Sequence, residues 1–281
     1  MSSFAVQTKI NLCDLHVKSI CCKKSLLFGV LFYGGKFGIG DITVFTECEE
    51  ITTLIERLLL ECYSGVCDIE YYSSGFRLTV SDHSTMSALI QDRQKFKSCN
   101  KCRAYYLRGI FLACGTVNSP DASYRLELSF KRSGEELERM LTEMNLNYKS
   151  TIRGNENVFY IKESESVEDF LNYIGAMNAA FLLMNEKIKR GIRNDVNRQK
   201  NCDTANIKKT IAANQKQIDA ISRINRENKM GMLPEALRVT AQLRVDYPHV
   251  SLVELAELHD PKITKSGLNN RMRKIMEFAD K

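Results

Sequence analysis

The sequence predicts an α+β protein: a duplicated αββαββ module, followed by a helical connector and an all-α helix-turn-helix domain. Three observations lead to this prediction. The same order of helix, strands, amphipathic helix and strands occurs twice, and equivalent positions are 80 to 83 residues apart. Each copy begins with an apolar helix that contains a glycine. Finally, the basic excess is confined to residues 186–281, which hold 20 basic and 12 acidic residues, against 20 and 22 elsewhere.

The first copy begins at residues 27–35 with the apolar stretch LFGVLFYGG, which predicts a buried helix that ends at two glycines. A strand is predicted for ITVFTE, because apolar and polar residues alternate and several are β-branched. An amphipathic helix is predicted for EEITTLIERLLLE, whose apolar residues recur every three or four positions. Two further strands, VCDIEYY and GFRLTVS, complete the copy.

The second copy begins at residues 107–115 with LRGIFLACG and keeps the same order. A strand is predicted for SYRLELSF, a helix for GEELERMLTEM, and a hairpin around the turn pair Gly154-Asn155. Gly29 and Gly109 lie in the middle of the two leading helices, where glycine costs about 1 kcal/mol relative to alanine. We expect this cost to be offset by close approach of the two helix backbones at a pseudo-two-fold axis.

The connector is strongly basic: residues 187–229 hold 12 basic and 4 acidic residues. One long helix is predicted from Asp203, which is a plausible N-cap. Its apolar stripe comprises Ile207, Ile211, Ile218, Ile221 and Ile224. Lys209, Lys216 and Arg223 recur every seven residues on another face. This basic stripe favours either contacts with DNA phosphates or a solvent-exposed helix that joins two domains.

The last fifty residues predict three helices, which begin near Pro234, after Ser251 and at SGLNNRMRKIMEFAD. The last helix has a buried stripe of Leu268, Met272, Ile275 and Ala279. Its other faces carry asparagine and arginine, which suit the edges of adenine and guanine, so the pattern favours a helix-turn-helix. A basic three-helix module that binds protein is the alternative. The predicted DNA-binding residues are Ser266, the base contacts Asn269, Asn270 and Arg273, and the phosphate contacts Lys262, Lys265, Arg271 and Lys274.

Ten cysteines raise the question of disulfides or a metal. The polar N-terminus lacks the pattern of a secretory signal, and the run LLFGVLFYGG is too short to span a bilayer, so we expect a cytoplasmic protein with reduced thiols. Cys99 and Cys102 have zinc-ligand spacing, but no second CxxC or HxxxH pair completes a ligand set, so we expect structural thiols and no metal or cofactor. The remaining thiols keep a metal site open as the alternative: Cys21, Cys22, Cys62 and Cys67.

The two leading helices share the form L-x-G-h-h-h-x-x-G, where h is apolar, and this duplicated module resembles the LAGLIDADG homing endonucleases. The resemblance implies that an acid at the eighth motif position of each helix holds a divalent metal ion. Here those positions are Gly34 and Cys114, which are unsuitable ligands for magnesium, so we expect no nuclease activity. The alternative is a metal-dependent nuclease that uses the later residues Asp41 or Asp121.

The whole chain resembles the WhiA family of bacterial transcription regulators. The resemblance is carried by YLRGIFLACGTVNSP, YIKESESVEDFLNYIGA, RNDVNRQKNCDTANIKKTIAA and SLVELAELHDPKITKSGLNNRMRKI. It implies a regulator of sporulation or cell division that binds double-stranded DNA on the nucleoid, with no membrane or small-molecule substrate. A protein partner for the N-terminal module, with auxiliary DNA binding, is the other alternative. The predicted domains are 1–84 and 85–186 for the two halves, 187–230 for the connector and 231–281 for the helix-turn-helix.

Overall fold

The computed structural model describes residues 2–92 and 99–280 and divides into two compact units, residues 1–190 and 191–281. Residues 93–98, at the start of the predicted second half, lie outside the described residues. Among the described residues, no helix combines the length and apolar character needed to cross a membrane.

The first half of the N-terminal unit forms a four-stranded antiparallel sheet, with strand order β1-β2-β4-β3, covered by helices. Its elements are α1 (Phe4–Cys13), α2 (Ile20–Gly34), β1 (Gly35–Phe37), β2 (Ile42–Thr46), α3 (Glu49–Tyr63), β3 (Asp68–Tyr72), β4 (Gly75–Val80) and α4 (His83–Asp92). The sequence analysis missed α1 and α4, whose helical periodicity is weak.

The second half repeats this topology, with strand order β5-β6-β8-β7. Its elements are α5 (Cys102–Cys114), β5 (Gly115–Val117), β6 (Leu126–Phe130), α6 (Glu135–Glu143), β7 (Tyr148–Arg153), β8 (Glu156–Ile161) and α7 (Ser164–Ile174). The β7–β8 register pairs Arg153 with Glu156, so Gly154-Asn155 form the turn, with Gly154 at a φ of 60°. The predicted duplication is therefore confirmed.

Burial follows the predicted periodicity. In α3 every residue of the predicted apolar face is buried, because helical spacing places these residues on the side that faces the sheet. In β2, Ile42 and Val44 are buried, while the alternating residues Thr43 and Phe45 are more exposed. This is expected for a strand with one covered face. Both halves contribute to one continuous hydrophobic core.

The leading helices α2 and α5 approach each other closely at their glycines. A Cβ atom on Gly29 would lie 2.2 Å from the carbonyl oxygen of Tyr106 and 2.9 Å from the Cα of Gly109. A Cβ atom on Gly109 would lie 2.2 Å from the carbonyl oxygen of Leu26. Only glycine leaves room for this packing, so the predicted role of both glycines is confirmed.

Arg108 links α5 to the end of α7. Its side chain is buried, and its Nε donates a hydrogen bond of 2.6 Å to the carbonyl oxygen of Ile174. The next residue, Gly175, has a φ of 91°, and a Cβ there would lie 2.4 Å from the Arg108 guanidinium. The left-handed conformation at Gly175 ends α7, as is common for a glycine at this position.

One continuous helix of 50 residues, α8 (Met177–Arg226), follows. The prediction that a helix begins at Asp203 was wrong, because Asp203 lies inside α8 and the residues before it are already helical. The predicted apolar stripe is only partly buried. Ile221 and Ile224 are buried, but Ile207 and Ile211 are 58% and 57% exposed, because no element among the described residues covers this part of α8.

The rest of the second unit is a small helical domain with its own core. Its helices are α9 (Glu235–Asp246), α10 (Leu252–Glu257) and α11 (Lys265–Ala279), as predicted. Leu268, Met272 and Ile275 of α11 are buried, whereas Ala279 is half-buried. The core residues are Ile221, Ile224, Leu233, Ala241, Leu255, Ala256, Leu268, Met272 and Ile275.

Candidate nucleic-acid interface

The helix pair α10–α11 is held by local hydrogen bonds at both helix starts. Ser251 and Glu254 form a capping box: the Glu254 carboxylate accepts from the Ser251 N–H at 2.8 Å, and the Ser251 hydroxyl accepts from the Glu254 N–H at 3.3 Å. At the start of α11, the Thr264 hydroxyl accepts from the Gly267 N–H at 3.1 Å. Both helices therefore begin at well-defined residues, which sets the length of the turn between them.

A buried histidine fixes the turn against the rest of the domain. His259 is 4% exposed, and its ring nitrogens lie 2.9 Å from the Leu255 carbonyl oxygen and 2.9 Å from the Thr240 hydroxyl. Because Thr240 belongs to α9 and Leu255 to α10, His259 joins these two helices to the turn that precedes α11. The sequence analysis missed His259, which has no periodic signal.

The connection between α9 and α10 is held by two buried polar side chains. Arg244 donates to the Val250 carbonyl oxygen at 2.8 Å, and its burial lowers the pKa of the guanidinium. Asn214 of α8 donates at 3.1 Å to the carbonyl oxygens of both Pro248 and Val250. These bonds satisfy carbonyl groups that the short loop would otherwise leave unpaired.

The outer face of α11 presents the predicted base-contacting residues to solvent. Asn269, Asn270 and Arg273 are all exposed, and Ser266 lies one turn earlier on the same side. Arg273 Nε lies 3.8 Å from Glu277 Oε1, a long contact between exposed side chains that breaks at little cost. Their role in DNA binding stays a prediction.

The predicted phosphate contacts differ in their freedom to move. Lys262, Lys265 and Lys274 are exposed around the turn and α11. Arg271 is half-buried, and its Nη1 lies 3.4 Å from both the Ala236 carbonyl oxygen and the Thr240 hydroxyl. Arg271 is therefore partly engaged in packing α11 against α9.

The basic stripe of α8 is exposed at Lys209 and Lys216. Arg223 is also exposed, but its Nη2 lies 2.9 Å from Asp280 Oδ1. A phosphate would have to compete with this carboxylate, so Arg223 is the weakest of the three predicted contacts.

The two positions that would carry catalytic acids lie at the ends of α2 and α5. The Cys114 thiol donates to the Ile110 carbonyl oxygen at 3.2 Å, and burial raises its pKa to about 12, so the thiol is protonated at neutral pH. A Cβ on Gly34 would already lie 3.0 Å from the Cβ of Ala113. This end of the helix pair therefore offers no anionic ligand from either position.

Asp41 and Asp121 are each engaged locally. Asp41 accepts a hydrogen bond of 3.2 Å from the Thr43 hydroxyl, and Asp121 accepts one from the Ser119 hydroxyl. The hydrogen bond from Ser119 is the main cause that lowers the pKa of Asp121. In the part of the chain that the structure describes, neither belongs to a group of three or more potential metal ligands.

The structure brings Cys99 and Cys102 together with two of the thiols that keep a metal site open as the alternative. Cys21 and Cys22 supply two further thiols, and all four sulfur atoms lie within 4.8 Å of one another. Zinc ligands are usually recognised in a sequence as pairs with CxxC or HxxxH spacing. The second pair here is two adjacent cysteines from the first half of the module. Cys62 and Cys67 are not part of this cluster.

Comparison with known proteins agrees with this architecture. Two family models match, the WhiA LAGLIDADG-like domain over residues 103–193 and the WhiA C-terminal HTH domain over residues 196–279. A Desulfitobacterium hafniense protein named "Probable cell division protein WhiA" is 34% identical, covering 99% of this chain and 96% of its own. A Bacillus velezensis protein of the same name is 35% identical over the same shares.

A solved structure shows the same fold. The crystal structure of full-length DUF199/WhiA from Thermotoga maritima superposes with a TM-score of 0.63, covering 99% of this chain and 98% of that one, at 22% identity. The two matched family models cover the second half of the duplicated module and the helix-turn-helix domain described above. Because relatives more than 30% identical also align over almost their full length, the chain belongs to the WhiA family.

Proposed function

We propose that the protein is a sequence-specific DNA-binding transcriptional regulator that acts in cell division or sporulation. The observation that supports this most directly is the exposed asparagine and arginine face of α11, in a domain that matches the WhiA C-terminal HTH model. The relatives' printed name, "Probable cell division protein WhiA", supports the cellular role. Its place of action would be the cytoplasm, on the nucleoid.

In this proposal α11 enters the major groove with its N-terminal half facing the bases. Asn269 or Asn270 would bind adenine, and Arg273 would bind guanine through two parallel hydrogen bonds. Lys262, Lys265 and Lys274 would hold the flanking phosphates. Free side chains in these positions support the proposal, because base recognition requires donors without stronger internal partners.

The N-terminal module would act without nuclease chemistry. Protonated Cys114 and closely packed Gly34 supply no hard anionic ligand for magnesium from the two motif positions. The alternative sites at Asp41 and Asp121 have their own local hydrogen-bond partners. We expect purified protein to leave plasmid DNA intact in magnesium or manganese, and metal-dependent cleavage would contradict this part of the proposal.

The test of sequence recognition begins with selection of bound duplexes from a random pool by the full-length chain. Affinity for the selected site and for a scrambled site is then measured at one fixed salt concentration. The variant carries Asn270→Ala and Arg273→Ala. The matched control carries Asn147→Ala and Arg139→Ala, two exposed residues of the N-terminal unit with the same change in charge.

We expect the α11 variant to reduce the ratio of specific to non-specific affinity by about 10- to 100-fold per residue, since a bidentate base contact is worth about 1–3 kcal/mol. The control should retain the wild-type ratio. An unchanged ratio in the α11 variant, with the domain still folded by circular dichroism, would refute the assignment of α11 as the recognition helix.

A further inference from the structure

Four cysteines meet at the N-terminal ends of the two central helices. Cys21 and Cys22 lie in the first turn of α2, while Cys102 is the first residue of α5 and Cys99 precedes it by three residues. Cys22 and Cys102 are buried, at 2% and 0% exposure, and Cys99 is exposed. The cluster therefore joins the two halves of the module, with one member open to solvent.

The sulfur positions match a tetrahedral metal site. Cys99 Sγ lies 3.7 Å from Cys21 Sγ, 3.6 Å from Cys22 Sγ and 3.4 Å from Cys102 Sγ. In a tetrahedral site with Zn–S bonds of about 2.3 Å, the sulfur atoms are about 3.8 Å apart. Since all four sulfurs already lie within 4.8 Å of one another, small side-chain adjustments would bring them to that spacing.

We propose that Cys21, Cys22, Cys99 and Cys102 bind one zinc ion, which cross-links α2 and α5 at their N-terminal ends. Four thiolates in tetrahedral geometry suit zinc, and a closed set of four ligands is the arrangement of a structural zinc site. On binding, the thiols release their protons and each sulfur donates a lone pair to the metal. The proposal is independent of the proposed function in DNA binding.

The surroundings suit thiolate ligands. The Ser19 hydroxyl lies 3.1 Å from Cys21 Sγ, and the Ser25 hydroxyl donates to the Cys21 carbonyl oxygen at 2.8 Å, which orients the first turn of α2. The N-terminal ends of α2 and α5 carry partial positive charge, which stabilises the two excess negative charges of a zinc tetrathiolate. Exposed Cys99 provides the path by which a metal would enter.

A disulfide explains the cluster less well. It would use two of the four sulfurs, bring them to about 2.05 Å, and leave the other two thiols without a role. A metal uses all four at nearly their present spacing. A metal bound by all four thiols would also close loops of nearly 80 residues between the halves. This restricts the unfolded chain and so favours the folded module.

The decisive experiment measures metal content in the full-length protein, purified without a metal-affinity tag from medium that contains zinc. We expect about one zinc per wild-type chain by elemental analysis. Cys99→Ser and Cys102→Ser should lose it. Cys67→Ser and Cys202→Ser, which change cysteines outside the cluster, should retain it.

Two further measurements on wild-type protein do not depend on whether the variants fold. Cobalt replacing zinc should give the strong visible absorption of a tetrahedral thiolate site. A strong chelator should lower the unfolding temperature of the N-terminal unit by about 5–10 °C, as expected when a tightly bound ligand is removed. Iron in place of zinc, a metal-free native protein, or a disulfide within the cluster would each overturn the proposal.

Discussion

Replacing Gly29 with alanine tests the packing on which the duplicated module depends. The added Cβ would lie 2.2 Å from the Tyr106 carbonyl oxygen and 2.9 Å from the Gly109 Cα, and both neighbours are backbone atoms. A normal carbon–oxygen contact is about 3.3 Å or longer. The two helices must therefore separate by about 1 Å, because no side chain at this contact can rotate away.

This separation sets the size of the effect. A gap of about 1 Å forfeits up to half of the dispersion energy between the facing atoms, and overpacking in a rigid core costs about 1–3 kcal/mol or more. Alanine regains about 1 kcal/mol of helix propensity. We expect a net loss of about 1–2 kcal/mol, which corresponds to a drop of about 2–8 °C in the unfolding temperature of the N-terminal unit.

The assay is thermal unfolding of the full-length chain, followed by the near-ultraviolet signal of tyrosine. Ten of the eleven tyrosines lie in residues 1–190, so this signal reports the N-terminal unit. Gly191→Ala is the matched control. It adds the same methyl group to an exposed helical glycine, where the new Cβ meets nothing within 4 Å.

The Gly29→Ala and Gly191→Ala substitutions should change the stability of the protein in opposite directions. Gly191→Ala should stabilise α8 by up to about 1 kcal/mol, measured by far-ultraviolet circular dichroism in urea. If Gly29→Ala unfolds at or above the wild-type temperature, then α2 and α5 do not make the close backbone contact described here. An equal loss is expected for Gly109→Ala, whose Cβ would lie 2.2 Å from the Leu26 carbonyl oxygen.

Three other predictions concern charge and buried polar contacts. Changing Lys209 and Lys216 to glutamine should reduce the slope of log affinity for non-specific DNA against log salt by about 2, measured by fluorescence anisotropy, if both bind phosphates. Asn214→Ala should cost about 1–3 kcal/mol in urea unfolding, because the Pro248 carbonyl oxygen loses this donor while the Val250 carbonyl oxygen keeps Arg244, whereas exposed Asn225→Ala should cost little. Burial lowers the pKa of Lys9, so its protonation opposes folding, and Lys9→Met should raise the urea midpoint at pH 7.

Each of these has a result that would contradict it. If the slope of log affinity against log salt is unchanged, the basic stripe of α8 is a solvent-exposed helix surface that binds no phosphates. Equal costs for the two asparagine variants would mean that the carbonyl groups find other donors. The folded protein binds the Lys9 proton less tightly than the unfolded chain does, so wild-type stability should rise as the pH approaches 10.5, the ordinary pKa of lysine. The Lys9→Met variant should lack this rise.

Much of the secondary structure followed from local patterns. The α3 helix and the β7–β8 hairpin were predictable because apolar spacing and turn residues act within a few positions of one another. The continuity of α8 was not predictable in the same way. Asp203 is a good N-cap residue, but an N-cap forms only where the preceding residues leave the helix, and here they remain helical.

For the candidate DNA interface, the sequence could predict only which face of α11 is exposed. Helical periodicity placed Asn270 and Arg273 on the side opposite the buried stripe, and both are exposed in the structure. Periodicity could not show that Arg271 contacts α9. Nor could it show that His259 holds the turn between α10 and α11, or that Asn214 holds the connection between α9 and α10. Those contacts join residues that are far apart in the sequence.

The sequence by itself determined the duplication, the close-packing glycines and the family, because each is recorded in the order and spacing of residue types. Only the tertiary structure decided which cysteines are neighbours. Cys21 and Cys22 are more than 75 positions from Cys99, and no local pattern relates them. The packing of α2 against α5 brings their first turns together, and so the CxxC pair has two further thiols as neighbours.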